Sequence, residues 1–124
     1  MPHGRVLVID DDARVSAMLG DLLGVLGYDV ATAGNADAAM RAVASFQPDV
    51  VLLDWHMPDF GQFEGLDYFR RNHAGLPVIV VSGDAAVDVA HDVRAHGAFD
   101  FLGKPFRVPQ LQRIVAAAMD QRRG

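Results

Sequence analysis

The residues of this chain whose types could do chemistry stand where short apolar runs stop. Asp54 directly follows Val50-Val51-Leu52-Leu53. Four large apolar residues in a row read as a strand buried on both faces, and Pro58 signals that a loop has begun. A carboxylate there is held at the rim of a rigid strand, the end at which open parallel α/β sheets bind ligands. Taken alone, Asp54 could simply punctuate the strand, as polar residues commonly do. The other run ends change that reading. Arg5-Val6-Leu7-Val8-Ile9 leads into Asp10-Asp11-Asp12, Val78-Ile79-Val80-Val81 into Ser82-Gly83-Asp84, and the run ending at Leu102 into Gly103-Lys104-Pro105-Phe106.

Gathered at one rim, these groups define a reaction type. Two like charges about 4 Å apart repel by about 4 kcal/mol at an effective dielectric of about 20. The carboxylates must therefore retain a proton or enclose a cation. Oxygen ligands without histidine suit a hard ion, Mg²⁺ (or Mn²⁺), that keeps several waters. Beside an ammonium and a hydroxyl, such an ion equips a carboxylate for phosphoryl transfer, with Asp54 attacking in line. In this reading Asp11 is the direct metal ligand and Asp10 a ligand through water. The backbone carbonyl of His56 completes the shell. Asp12 is set aside as the N-cap of the following helix.

The elements that must position these groups follow from periodicity. Val15, Met18, Leu19, Leu22, Leu23 and Leu26 recur at helical spacing, and Gly27 closes that helix. Tyr28 to Thr32 is a short strand, and Asn35 caps a helix with Ala36, Ala39, Met40, Val43 and Phe46 on one face. Met18 and Met40 are expected in the core. A third helix carries Leu66 and Phe69, a fourth spans about Ala85 to His96 and stops at Gly97, and a fifth presents Val108, Leu111, Ile114, Val115 and Ala118. Five strands alternating with five helices call for a doubly wound five-stranded parallel sheet, with order 2-1-3-4-5 in the flavodoxin-like arrangement. That order makes strands 1 and 3 neighbours about 4.8 Å apart, so Asp10, Asp11 and Asp54 converge.

Composition narrows the classes. The chain has 124 residues, 51% of them hydrophobic, with no cysteine and a formal net charge of −5. This fits one globular domain over residues 1–124, without disulfides or thiolate metal sites, and a cytoplasmic location. The apolar runs are too short to span a bilayer, no signal pattern opens the chain, and the acidic balance disfavours direct nucleic-acid binding. The histidines lack zinc-site spacing, and His73, His91 and His96 are expected to be solvated.

The segments Val8-Ile9-Asp10-Asp11-Asp12, Leu53-Asp54-Trp55-His56-Met57-Pro58, Val81-Ser82-Gly83, and Gly97-Ala98-Phe99-Asp100-Phe101 with Lys104-Pro105-Phe106 resemble the receiver domain of two-component response regulators. The resemblance covers essentially the whole chain. It implies that Asp54 accepts phosphate from a phosphohistidine on a sensor histidine kinase or histidine phosphotransfer protein. It further implies that Asp10 and Asp11 hold Mg²⁺, that Lys104 contacts the phosphoryl group, and that Ser82 senses it. The Lys104-Pro105 bond is expected to be cis. Phe101 would rotate inward as Ser82 moves, switching the helix 4–strand 5–helix 5 surface toward a downstream protein target or a phosphorylation-dependent dimer. The family often has tyrosine at the Phe101 position, so here the switch would act by packing. His56, Gly83 and Asp84 flank the crevice where the family tunes dephosphorylation, and His56 and Asp84 could pair across it.

Against the family pattern, three additional residues precede Gly65, within Asp59-Phe60-Gly61-Gln62-Phe63-Glu64. Phe60 and Phe63 look exposed on an active-site loop. They are read either as local packing onto helix 3 or as a partner contact. The chain contains no recognisable output module, so it is expected to be a stand-alone regulator or a receiver from a hybrid kinase or larger regulator. A signalling phosphoacceptor is expected, not an enzyme. Two other functions fit less well. An FMN carrier would not place three aspartates where the phosphate binds. An aspartyl-phosphate phosphohydrolase would carry an acid where His56 stands.

Overall fold

In the computed structural model, residues 4–60, 63–83 and 87–123 are described. Five strands and five helices alternate: β1 (Arg5–Ile9), α1 (Ala13–Val25), β2 (Asp29–Ala33), α2 (Ala36–Phe46), β3 (Val50–Asp54), α3 (Phe63–Asn72), β4 (Val78–Ser82), α4 (Val87–Ala95), β5 (Asp100–Gly103) and α5 (Val108–Arg123). All strand pairs are parallel, in the order β2-β1-β3-β4-β5 expected from the sequence.

The alternation of side chains along each central strand feeds two cores, which is why both faces need helices. Leu7, Ile9, Val51, Leu53, Val78 and Val80 pack with Ala39 and Val43 of α2, Leu66 and Phe69 of α3, and Val93 of α4. Val6, Val8, Val50, Leu52, Ile79 and Val81 pack with Leu19 and Leu23 of α1 and with Leu111, Val115 and Ala118 of α5. β3 and β4 are buried along their whole length. A strand sandwiched in this way leaves its terminal residue little freedom, and that rigidity holds Asp54 in place.

Local signals act as their chemistry requires. The Asp12 carboxylate accepts from the Arg14 amide at 3.0 Å, and Asn35 accepts from Ala38 at 2.8 Å, so each satisfies an N-terminal donor of its helix. Gly27 and Gly97 have φ of +99° and +98°, left-handed values that let the chain leave α1 and α4 abruptly. The Lys104–Pro105 peptide bond is cis. No helix among the described residues is long and apolar enough to cross a membrane.

Three expectations need correction. Met18 and Met40 are exposed, not core, because Leu19 and Leu23, and Ala39 and Val43, already occupy the inward faces of α1 and α2. Val108 is likewise exposed at the start of α5. His73 and His96 are half-buried rather than solvated, since both rings pack on aromatic side chains of α3.

Candidate functional site

Strand register assembles the site. Ile9 pairs with Leu53, so Asp10 and Asp54 follow side by side on neighbouring strands. Asp54 pairs with Val81, and Ser82 with Gly103, which brings Ser82 and Lys104 to the same end of the sheet. Backbone bonds extend this order past the strands. The Trp55 amide donates to Val81 O at 3.0 Å, Lys104 N donates to Ser82 O at 2.8 Å, and Asp10 N donates to Ala33 O at 3.0 Å.

The carboxylates of Asp10, Asp11 and Asp54 each offer an oxygen within 4.8 Å of the others. Asp10 and Asp54 are buried, at 4% and 7% exposure, whereas Asp11 faces solvent. Two lined the wall and one closes the mouth, a donor set of carboxylates alone that suits a hard divalent cation. Asp10 is oriented by the Asp12 amide, which donates to its Oδ1 at 2.9 Å, and Lys104 Nζ lies 3.7 Å from its Oδ2. Asp12 turns to the helix it caps and stays outside the cluster.

Burial pushes the Asp54 carboxyl above its ordinary range, and the neighbouring Asp10 charge pushes it further, with a smaller contribution from Asp11. The His56 amide, 3.4 Å from Asp54 Oδ1, and the Lys104 ammonium oppose that rise. The balance describes a carboxylate whose charge is under-compensated. A cation at this place relieves both burial and repulsion.

Ser82 is fully buried at the end of β4, and Phe101 is half-buried in β5 against the core on the α2–α3–α4 side. Gly83 and His56 are exposed. Asp84 lies outside the described residues, as do Gly61 and Gln62. A cleft of about 710 Å³ lies at the opposite end of the sheet, lined by Arg5, Asp49, His73 and Arg122 among others, and includes none of the acid cluster.

Of the two readings of the loop after β3, local packing onto α3 is the one the structure bears out, although the rings are not exposed as they look in the sequence. Phe60 is only 4% exposed and Phe63 half-buried. Phe60 packs on Tyr68 and Phe69 at ring distances of 5.5 and 5.9 Å. Phe63 meets Trp55 edge-on at 5.1 Å and lies over the His96 ring at 4.0 Å. Both rings pack locally because two large rings beside an apolar strand end have more to gain from burial than from exposure. The carbonyl of Phe60 comes so close to Gly65 that a Cβ there would stand 2.9 Å from it. Asp59 reaches back to accept from the Ala36 amide at 3.0 Å, fastening the loop to α2. His96 had no signal in the sequence; only the tertiary contact of α3 with the end of α4 reveals it.

Comparison with known proteins agrees with this geometry. Residues 6–116 match the family described as the response regulator receiver domain. A DNA-binding transcriptional regulator NtrC of Bradyrhizobium is 36% identical over 119 residues, which are 96% of this chain and 25% of that protein. The receiver domain of NtrX from Brucella abortus superposes with a TM-score of 0.86 at 30% identity, covering 93% of this chain and 98% of that one. The beryllofluoride-activated NtrC4 receiver domain dimer gives 0.86 at 31% identity, covering 95% and 98%. The chain spans about a quarter of the length of the curated relatives it matches.

Proposed function

Because this chain belongs to the response regulator receiver family, whose role is that of phosphoacceptor in two-component signalling, we propose that Asp54 is the residue that takes the phosphoryl group. The observation that carries this is the grouping of the Asp54, Asp10 and Asp11 carboxylates within 4.8 Å at the end of β1 and β3. In the forward step an Asp54 oxygen forms a bond to phosphorus as the N–P bond of a phosphohistidine breaks. The electron pair of that bond returns to the imidazole nitrogen of the donor. In dephosphorylation water attacks phosphorus, the P–O bond to Asp54 breaks with its electron pair returning to the carboxylate, and inorganic phosphate is released with the protons of the water.

Asp10, Asp11 and Asp54, with the backbone carbonyl of His56, would hold Mg²⁺ (or Mn²⁺), which when bound supplies positive charge to the phosphoryl oxygens. Lys104 offers an ammonium from the β5 side. Its present partner is Asp10, so it stands next to the group it would follow once phosphate arrives. Ser82 supplies the hydroxyl that senses the phosphoryl group, and Phe101 the ring that repacks in response. Together they bias the face formed by α4, β5 and α5. His56, Gly83 and Asp84 set the access of water to the acyl phosphate.

The donor is a sensor histidine kinase or a histidine phosphotransfer protein, and the readout is a downstream protein or a second receiver. A dimer of the activated NtrC4 receiver supports the latter. Residues 1–124 act as one receiver module in the cytoplasm, a phosphoacceptor and not a turnover enzyme. The quarter-length match to larger regulators supports a module of a longer protein alongside a stand-alone one.

Incubation with acetyl phosphate and Mg²⁺, followed by intact mass measurement, tests the acceptor. The wild type should gain one phosphoryl group, and Asp54→Asn or omission of the divalent ion should prevent it. Equal gain in Asp54→Asn would overturn the assignment.

A further inference from the structure

Trp55 follows the acceptor directly, and its ring is buried at 5% exposure. It meets Phe63, the first residue of α3, edge-on at 5.1 Å. Phe63 in turn stacks on His96 at 4.0 Å with 31° between the planes. His96 stands immediately after α4, and its amide closes that helix by donating to Asp92 O and Val93 O at 3.1 and 3.2 Å. Two ring contacts therefore separate the acceptor strand from the C-terminal end of α4. This connection bypasses Ser82 and Phe101.

What seats His96 can be decided from its neighbours. Its Nδ1 is buried without a hydrogen-bond partner among the described residues. The nearest acid, Asp67 Oδ1, is 3.8 Å away and already accepts from Arg70 Nη2 at 3.0 Å. Arg70 also lies along the turn after His96, with its Cδ 3.3 Å from where a Cβ of Gly97 would sit. A histidine with an unsatisfied ring nitrogen, second in line for its acid, is held by its stacking on Phe63. At the other end, the His56 amide donates to Asp54 Oδ1 at 3.4 Å, so the backbone on either side of Trp55 is in direct contact with that carboxylate.

We propose that the Trp55–Phe63–His96 stack is a second conformational link, carrying the phosphorylation state of Asp54 through the start of α3 to the end of α4. It rests on Asp54 being the acceptor and adds a route of regulation to that site. Packed aromatic contacts transmit such changes because close-packed groups shift between discrete arrangements and do not deform continuously.

The test is amide hydrogen exchange at His96, Gly97 and Ala98, whose amides all bond within the turn ending α4. It is read with and without acetyl phosphate and Mg²⁺, with phosphoryl gain followed separately by intact mass. In the wild type, phosphorylation should change exchange at these amides by roughly twofold or more. In Phe63→Ala and in His96→Ala that change should disappear while the mass gain persists. His96→Phe, which keeps a ring and removes the nitrogens, should restore it. His96 is half-exposed, so its replacement keeps the test valid should Phe63→Ala fail to fold. An undiminished response in His96→Ala, no response in the wild type, or a His96→Phe that behaves like His96→Ala would overturn the link alone. A wild type that gains no phosphoryl mass would overturn the acceptor assignment and the link together.

Discussion

Asp54 and Trp55 are consecutive residues that open onto two regions built on opposite principles. Asp54 joins a cluster of like charges, where burial and repulsion raise its carboxyl above the ordinary range and the described residues do not fully compensate. Trp55 joins a cluster of rings, in which Phe60, Phe63, Tyr68, Phe69 and His96 pack on one another. The first region costs the fold stability and is where the proposed chemistry takes place. The second stabilises the fold and holds the loop from which that chemistry is presented. The comparison teaches that a buried, charge-crowded carboxylate is held rigidly when a well-packed apolar cluster lies beside it.

Breaking the apolar side should have the larger effect on stability. Phe60→Ala removes a ring that is 4% exposed and contacts Tyr68 and Phe69. Its cost should be about 3–5 kcal/mol in urea unfolding, while phosphoryl uptake from acetyl phosphate persists at temperatures where the variant is folded. Loss of uptake in the folded variant, or a stability change near zero, would erase the distinction between the two regions.

Breaking the polar side should have a smaller effect of opposite sign. The Asp54 carboxyl has a higher pKa folded than unfolded, so the folded state binds more protons between the two values, and stability falls as pH rises through that window. Above the window the full penalty remains. Without divalent ion, Asp54→Asn should therefore be more stable than the wild type at neutral pH, and its advantage should shrink as pH falls into the carboxylate range. Parallel urea midpoints for the two proteins across that range check this. An advantage that grows on acidification would contradict the sign.

The two regions also differed in how far they could be read from sequence. Asp10, Asp11, Asp54, Ser82 and Lys104 were legible because each ends an apolar run, and parallel order alone brings such ends to one rim. The caps Asp12 and Asn35 and the closing glycines Gly27 and Gly97 were legible for the same local reason. The ring cluster was legible only as one of two readings. Phe60 lies on a loop and Phe63 opens α3, where neither a period of 2 nor one of 3.6 says which way a side chain points. His96 depends on how α4 packs against α3, which no local pattern encodes. Met18 and Met40 fell on apolar stripes of helices broader than the surface they cover.

Register brings Asp10 and Asp11, just past β1, beside Asp54 at the end of β3, and the proposed function makes that cluster one cation-binding, phosphate-accepting site. Titrating the protein with Mn²⁺ while following the free-ion EPR signal tests it most directly. The wild type should show a single saturable site that is lost when either Asp10 or Asp54 is changed to asparagine. An absence of saturable binding in the wild type, or binding that survives both substitutions, would contradict it.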